Sequence, residues 1–195
     1  MADGTISRFP VADPATAPTD VRDAIKVATD KTGFTPNVLL AYAWRPEQFR
    51  AFFGYYDTLM RGESGLSRAE RELIAVAVSA SNECLYCSVA HGAVLRVLSK
   101  NPRIADQVVA NHRHADLTPR EEALAQFAVK LTREPAAVDE TDIDALRAHG
   151  LSDAEIWDAG AVTGFFNLSN RMATLANLRP NDEFYAMGRT GAPPR

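Results

Sequence analysis

Apolar residues recur three and four positions apart along most of this chain, and this spacing predicts amphipathic helices. No segment alternates apolar and polar residues convincingly over five or more positions, and the β-branched residues Ile74, Val76 and Val78 continue a helical pattern. The predicted helices span residues 19–32, 36–43, 46–61, 68–81, 84–99, 102–112, 119–132, 140–149 and 153–178, with a short one at 182–187. The predicted fold class is therefore all-α.

Several helix starts carry capping signals. In a capping box, a side-chain hydroxyl and a carboxylate three residues later bond backbone N–H groups that lack a partner inside the helix. Three such pairs precede apolar-periodic runs: Ser67 with Glu70, Thr118 with Glu121, and Ser152 with Glu155. Asn101–Pro102 marks a fourth start, and Gly62 and Gly150 mark helix ends.

Prolines and glycines mark the limits of the folded region. The chain of 195 residues has the usual length of one domain. Pro10, Pro14 and Pro18 punctuate its beginning, and Pro193 and Pro194 lie near its end. We predict an extended N-terminal arm over residues 1–18, a single helical domain over 19–187 and a flexible tail over 188–195.

Core packing can explain two features of the sequence, and the first of them also permits contact with another subunit. The helix at 46–61 carries an aromatic stripe that includes Phe49, Phe53 and Tyr56, and such a stripe forms a core face or, in part, a subunit interface. Gly160 and Gly164, four residues apart, let another backbone approach closely. Tight packing in the core is a sufficient explanation for these glycines.

Composition and charge exclude several classes of protein. Hydrophobic residues make up 46% and charged residues 24% of the chain, which is ordinary for a folded globular domain. A net charge of -4 without any run of Lys and Arg argues against nucleic acid as a partner. Charged and amide residues interrupt the most apolar segment, 156–178, so we predict a core helix there and no membrane partner.

The two cysteines point to a reducing compartment. Cys84 and Cys87 lie too close in sequence to staple distant parts of a secreted fold. The first twenty residues are polar and broken by proline, so they do not resemble a secretion signal. We therefore predict a cytoplasmic protein in which the cysteines have a chemical role.

A Cys-x-x-Cys pair supports reversible redox chemistry. One thiolate attacks a substrate, and the neighbouring thiol then closes a disulfide. In a helix interior the two Cβ atoms lie ~5–6 Å apart, whereas a disulfide requires ~3.8 Å, so the pair belongs in an adjustable first turn. Ser79, Ser81 and Asn82 can end one helix and cap the next, which leaves Cys84 in that turn, where the helix dipole favours thiolate.

Two further residues can move protons near the sulfurs. His91 follows Cys87 by one helical turn, and its imidazole titrates near neutral pH. On a continuous helix Glu72 would lie ~18 Å from Cys84, but a break near Asn82 folds the two helices into an antiparallel hairpin. In that hairpin Glu72 and His91 become neighbours, and the predicted relay runs from Glu72 through His91 to Cys87 and Cys84.

The segment resembles a known family. The pattern Glu, eleven residues, Cys-x-x-Cys, three residues, His resembles the core of the alkylhydroperoxidase D-like (AhpD-like), peroxidase-related branch of the carboxymuconolactone decarboxylase family. In this chain its members are Glu72, Cys84, Cys87 and His91. The match is detailed over residues 66–98. The aromatic helix at 46–61 and the run 165–171 resemble the longer peroxidase-related members. The resemblance implies an all-α, AhpD-like helical bundle built around a central hairpin that carries the CxxC motif, and a homo-oligomer.

The resemblance also implies roles for the site residues. Cys87 is the peroxide-attacking thiolate, Cys84 resolves the sulfenic acid and meets the reductant, and Glu72 and His91 exchange protons. Family members often carry a His between the cysteines, where this chain has Tyr86, a poor acid or base near neutrality and at most an accessory group. The implied partners are an organic hydroperoxide or hydrogen peroxide and an external thiol or dithiol reductant, with no bound cofactor and no metal.

Other functions fit parts of the pattern. A zinc site could use Cys84, Cys87 and His91 with His112 or His114 as fourth ligand, although structural zinc sites usually lie in strand-and-loop scaffolds. Ser88 follows the second cysteine where c-type haem attachment needs a His, which excludes that site in its usual form. The function that the resemblance implies is that of a thiol-dependent hydroperoxide reductase. The alternatives are a lyase or a small-molecule-binding protein of the same superfamily, and a redox sensor without turnover.

Overall fold

A computed structural model describes residues 5–189 and contains, within them, helices and no strand. Ten α-helices follow one another: α1 (Thr19–Thr32), α2 (Asn37–Ala43), α3 (Pro46–Arg61), α4 (Arg68–Ser81), α5 (Leu85–Ser99), α6 (Ile104–Asn111), α7 (Pro119–Arg133), α8 (Glu140–Ala148), α9 (Asp153–Ala176) and α10 (Asp182–Ala186). Short 3₁₀ helices occupy Pro14–Thr16, His112–His114 and Pro135–Ala137. The all-α prediction is confirmed.

The predicted helix starts are mostly confirmed. All three capping boxes form, and a fourth joins Asp139 to Asp142 at the start of α8. The signal at residue 101 marks a turn: the Asn101 side chain accepts a bond from the backbone N–H of Arg103, and α6 begins one residue later. The last long helix stops at Ala176, two residues short of the predicted end, because Asn177 adopts a left-handed conformation.

Helix α4 is the centre of the molecule. Its residues 71–79 are all buried, because α5, α6, α7 and α9 pack around it. A helix covered on every side needs apolar or small residues at every position, and this explains the unbroken run from Leu73 to Val78. Any polar side chain on this stretch, such as Glu72, is therefore held out of water.

Antiparallel helices α4 and α5 form the hairpin, and α9 crosses beside it. One core cluster joins α4 to α3, α7 and α9 around Phe166, and a second joins α4 to α5, α6 and α7 around Leu95. A third cluster contains both cysteines and packs against Ala173 of α9 and Phe184 of α10. The cysteines thus lie inside the core and not at its edge.

The segments outside the bundle are attached to it. Arg8 donates its backbone N–H to the carbonyl of Ala176, and Arg179 donates to Ile6, so the described part of the N-terminal arm runs beside the end of α9. Arg189 pairs with Asp106 of α6. The predicted arm and tail otherwise include residues 1–4 and 190–195, which lie outside the described residues. Among residues 5–189, no helix has the length and apolar character needed to cross a membrane.

Candidate active site

The α4–α5 turn places the cysteines at the start of α5. Glu83 takes a left-handed conformation, with φ of 54°, and the chain reverses there. Cys84 follows as the N-cap residue of α5, and its backbone N–H donates to the carbonyl of Ser79 at 2.9 Å. The predicted break and the position of the cysteines in the first turn are confirmed.

Both cysteines are free thiols and almost fully buried, with 1% of Cys84 and 2% of Cys87 exposed. A hydrogen bond between the two sulfurs couples their ionisation. This bond lowers the pKa of Cys84 to about 6, with the backbone N–H of Cys87 and the charge of His91 acting in the same direction against burial. The same bond, with burial, raises the pKa of Cys87 well above its ordinary value. Ionisation of the pair is therefore favoured at Cys84 and opposed at Cys87.

The contact between Glu72 and His91 is present. Glu72 Oε2 lies 2.7 Å from His91 Nδ1, and their side chains are 6% and 15% exposed. Phe166 packs edge-on against the imidazole, with ring centres 4.5 Å apart. The carboxylate and the aromatic ring fix the imidazole's orientation.

The relay from His91 to the sulfurs is not a direct hydrogen bond. Within residues 5–189 neither sulfur is a hydrogen-bond partner of His91, although Cys87 and His91 line the same cavity. The cavity has a volume of about 230 Å³. Its wall is mainly apolar and comes from α1, α2, α3, α5, α9 and α10. Helices α3 and α9 contribute six aromatic side chains: Phe49, Phe52, Phe53, Tyr56, Phe165 and Phe166. A substrate in this cavity would contact Cys87, because Cys84 does not contribute to the wall.

The mouth of the cavity is charged. Lys31, Asp57 and Arg61 are exposed and contribute to its lining. Arg61 pairs with Asp57 at 2.7 Å and lies over the Tyr56 ring. The cavity therefore passes from a charged rim to an apolar interior.

Tyr86 points away from the relay. Its hydroxyl accepts a hydrogen bond from the backbone N–H of Val38 on α2, at 3.2 Å. Burial raises the pKa of the Tyr86 phenol further above its ordinary value. The residue between the cysteines thus ties α5 to α2 and keeps its proton at neutral pH.

Sequence reasoning missed the polar residues that α9 brings to the sulfurs. Ser169 Oγ lies 3.7 Å from Cys87 Sγ. Asn170, 1% exposed, donates to Ser79 Oγ and accepts from the Asn82 side chain, each at 3.0 Å. The available signal was the occurrence of Asn167, Ser169 and Asn170 inside an otherwise apolar helix.

Residues 5–189 provide no set of ligands for the zinc site that the sequence left open as an alternative. No group of three or more His, Cys, Asp or Glu side chains within residues 5–189 is arranged to hold a metal ion. His112 lines an open groove beside α7 and α8 that contains neither cysteine.

The chain is similar to solved structures over nearly its whole length. A peroxidase-related protein from Ralstonia eutropha JMP134, described as an alkylhydroperoxidase AhpD core, is 52% identical with a TM-score of 0.95, over 96% of this chain and 99% of that one. A peroxidase-related protein from Silicibacter sp. TM1040 is 42% identical with a TM-score of 0.89, over 96% of this chain and 100% of that one. The debrominase Bmp8 shares the fold at 18% identity, with a TM-score of 0.78 over 96% of this chain and 98% of that one.

The family model named "Carboxymuconolactone decarboxylase family" matches residues 46–130, which contain α3, the hairpin and both cysteines. Among the curated proteins, none matches the sequence significantly. The match to the family model and the near-complete likeness to the two peroxidase-related structures agree with the fold and with the hairpin. This chain belongs to the carboxymuconolactone decarboxylase family, in its AhpD-like, peroxidase-related branch.

Proposed function

We propose that this protein is a thiol-dependent hydroperoxide reductase. The observation that supports this function best is the pair of free, buried thiols three residues apart, with one sulfur in the wall of an apolar cavity. A thiolate at neutral pH is the nucleophile that peroxide reduction requires. The apolar wall suits an organic hydroperoxide better than hydrogen peroxide.

The reaction begins at Cys87. The shared proton moves from Cys87 to Cys84, and the Cys87 thiolate attacks the terminal oxygen of the hydroperoxide. The O–O bond breaks, Cys87 becomes a sulfenic acid, and the alkoxide leaves as an alcohol after taking a proton. His91 lines the same cavity and is hydrogen-bonded to Glu72, so its imidazole is placed to supply that proton.

The second stage regenerates the enzyme. The Cys84 sulfur attacks the Cys87 sulfur, the sulfenic oxygen leaves as water, and a disulfide forms. Two electrons from an external thiol or dithiol then reduce the disulfide to the starting thiols. All the atoms and electrons come from the peroxide and the thiol donor.

Single cysteine variants test this scheme. Anaerobic reaction of the wild type with one equivalent of an organic hydroperoxide should consume two thiols and give an 84–87 disulfide by mass spectrometry. Cys84→Ser should stop at a sulfenic acid on Cys87 that dimedone traps, and Cys87→Ser should not react. Ser99→Ala, three turns further along α5, serves as the matched control and should turn over normally.

Other outcomes would contradict the proposal. Activity that survives in both cysteine variants indicates a lyase, and a disulfide without multiple turnover indicates a redox sensor. The fold relative Bmp8 was solved as a variant with 2,3,4-tribromopyrrole, so that compound is the comparison substrate. Debromination without peroxide turnover would also refute the assignment.

We also infer that the protein assembles with a second copy of itself through the outer face of α9. Trp157 and Leu168 on this face are 79% and 53% exposed. An added Cβ at Gly160 or Gly164 would meet no atom within 4 Å, so packing inside the chain does not account for these glycines. If the α9 helices of two copies pair antiparallel and cross at Gly164, each Leu168 would pack against the surface that the glycines leave open on the other copy. Trp157→Glu should lower the mass measured by sedimentation, and an unchanged mass would contradict the inference.

A cytoplasmic location stays a prediction from the cysteines.

A further inference from the structure

The sulfur that ionises more readily is not the sulfur that the cavity reaches. Ionisation is favoured at Cys84, whereas the cavity is lined by Cys87. The attacking thiolate therefore forms only when the proton leaves Cys87, and burial opposes a charge on that sulfur. A hydrogen-bond donor close to Cys87 Sγ would favour the charged form.

Ser169 has the geometry of such a donor. Its Oγ lies 3.7 Å from Cys87 Sγ, and within residues 5–189 this sulfur is its only hydrogen-bond partner. A serine or threonine inside a helix commonly bonds the carbonyl four residues earlier, as Thr163 does to Ala159 on the same helix. The hydroxyl of Ser169 faces the sulfur instead.

The turn of the hairpin holds this part of α9 in place. The side chain of Asn82 donates to Asn167 and to Asn170, each at 3.0 Å. Asn170 in turn donates to Ser79, whose carbonyl receives the backbone N–H of Cys84. These bonds tie residues 167–170 to the segment that carries the cysteines, so the hydroxyl keeps its place beside the sulfur.

We propose that Ser169 donates a hydrogen bond to Cys87 and thereby sets which of the two sulfurs carries the shared charge. Its role in peroxide attack rests on the proposed function, but its effect on the proton partition does not. The hydrogen bonds of Ser169 and Asn170 both act to lower the pKa of Cys87. Near the other sulfur, the hydroxyl of Thr174 acts to lower the pKa of Cys84.

The test measures the partition without peroxide. Limited alkylation with iodoacetamide, followed by mass spectrometry, gives the ratio of modified Cys87 to modified Cys84 across pH. We expect Ser169→Ala to lower this ratio about tenfold, Ser169→Thr to restore it, and Thr174→Val to raise it. Thr163→Val removes a hydroxyl that donates to the Ala159 carbonyl of its own helix, and should leave the ratio unchanged.

The outcomes separate this inference from the proposed function. Equal ratios in the wild type and Ser169→Ala, with both proteins folded by circular dichroism, would overturn the role of Ser169. A shifted ratio in a protein whose wild type does not reduce hydroperoxides would support the role of Ser169 and refute the peroxidase. A slower attack of Cys87 on hydroperoxide in Ser169→Ala, with the Michaelis constant unchanged, would support both.

Discussion

The ionisation of the sulfur pair controls the chemistry that the site can perform. Because the pKa of Cys84 is lowered to about 6, half of this thiol should be ionised at that pH and nearly all of it from pH 7 upwards. An ordinary cysteine, with a pKa of about 8.5, would still be gaining thiolate at pH 8. We therefore expect the rate of iodoacetamide alkylation to be half-maximal near pH 6 and flat from pH 7 to pH 8.

The cause of this shift can be tested separately. The largest contribution is the hydrogen bond from the Cys87 thiol, so Cys87→Ala should move the half-maximal pH of Cys84 upwards. The serine variant is the control, since a hydroxyl can still donate to the thiolate and should retain part of the shift. An identical profile in the alanine variant would show that the neighbouring sulfur does not stabilise the charge.

Glu72 is the second residue whose role a single substitution can reveal. It is 5% exposed and lies against His91, so a glutamine there keeps the shape and one hydrogen bond but removes the charge. If the pair supplies a proton, Glu72→Gln should lower kcat/KM for an organic hydroperoxide by about 10²-fold. Stopped-flow kinetics measures the loss. Glu47→Gln, at an exposed position, is the control. Equal values of kcat/KM in the two variants would exclude the relay.

The connection between α3 and α4 depends on one buried cation. Arg71 is 4% exposed, and its guanidinium donates to the carbonyls of Leu59, Leu66 and Gly62 at 2.8–3.0 Å. These carbonyls belong to the end of α3 and to the loop that leads into α4. The arginine therefore fixes how α3, a wall of the cavity, joins the central helix.

Removal of this guanidinium should destabilise the fold. Arg71→Met would leave three partly or fully buried carbonyls without the donor they now have, and we expect a loss of about 3 kcal/mol in the free energy of unfolding. Urea denaturation followed by circular dichroism measures it. Arg68→Met, an exposed position on the same helix, is the matched control and should change stability by less than about 0.5 kcal/mol. Equal midpoints for the two variants would contradict this account.

Local patterns were sufficient to predict the hairpin and the contact between Glu72 and His91. The capping box at Ser67, the polar break near Asn82 and the spacing of the two residues about that break all lie within thirty residues of sequence. A helical hairpin has few degrees of freedom once its ends are marked, so counting residues from the turn gave the pairing.

The rest of the site depends on tertiary contacts that have no local signal. Ser169 reaches Cys87 from 82 positions away, and Tyr86 contacts Val38 from 48 positions away. The sequence shows that Tyr86 lies between the cysteines, but the group that its hydroxyl contacts depends on where α2 packs. The volume of the cavity likewise depends on how α3 and α9 pack, and hydrophobic periodicity alone does not specify that.

Three helix starts that are distant in sequence meet at one arginine. Arg120, in the first turn of α7, donates to Glu70 and to Glu155 at 2.7 Å each, and also to the carbonyl of Gly150. Glu70 and Glu155 are the carboxylates of the capping boxes of α4 and α9. Each carboxylate therefore caps its own helix with one oxygen and binds α7 with the other.

This arrangement makes the stability of the molecule depend on pH. Hydrogen bonds at Ser152, followed by that of Arg120, lower the pKa of Glu155 to about 2. Burial opposes the ionisation of Glu70, but its pKa is also lowered, because the hydrogen bonds of Arg120 and Ser67 outweigh burial. A carboxyl whose pKa is lower in the folded state stabilises the fold above its unfolded pKa, about 4.3. That contribution is lost as the pH falls towards the folded value.

Arg120→Met should reveal the part of this stability that depends on the cation. The arginine side chain is 28% exposed, so we expect a loss of about 1 kcal/mol at pH 7, near the upper end for partly exposed ion pairs. The difference from the wild type should shrink at pH 3, where the unfolded carboxyls are already protonated and must lose these protons for the folded ion pairs to form. Thermal or urea unfolding at both pH values measures it, with Arg113→Met, whose side chain joins no ion pair within residues 5–189, as the control. A difference of the same size at pH 3 and pH 7 would mean that Arg120 acts by packing, and that the three helix starts are not joined by charge.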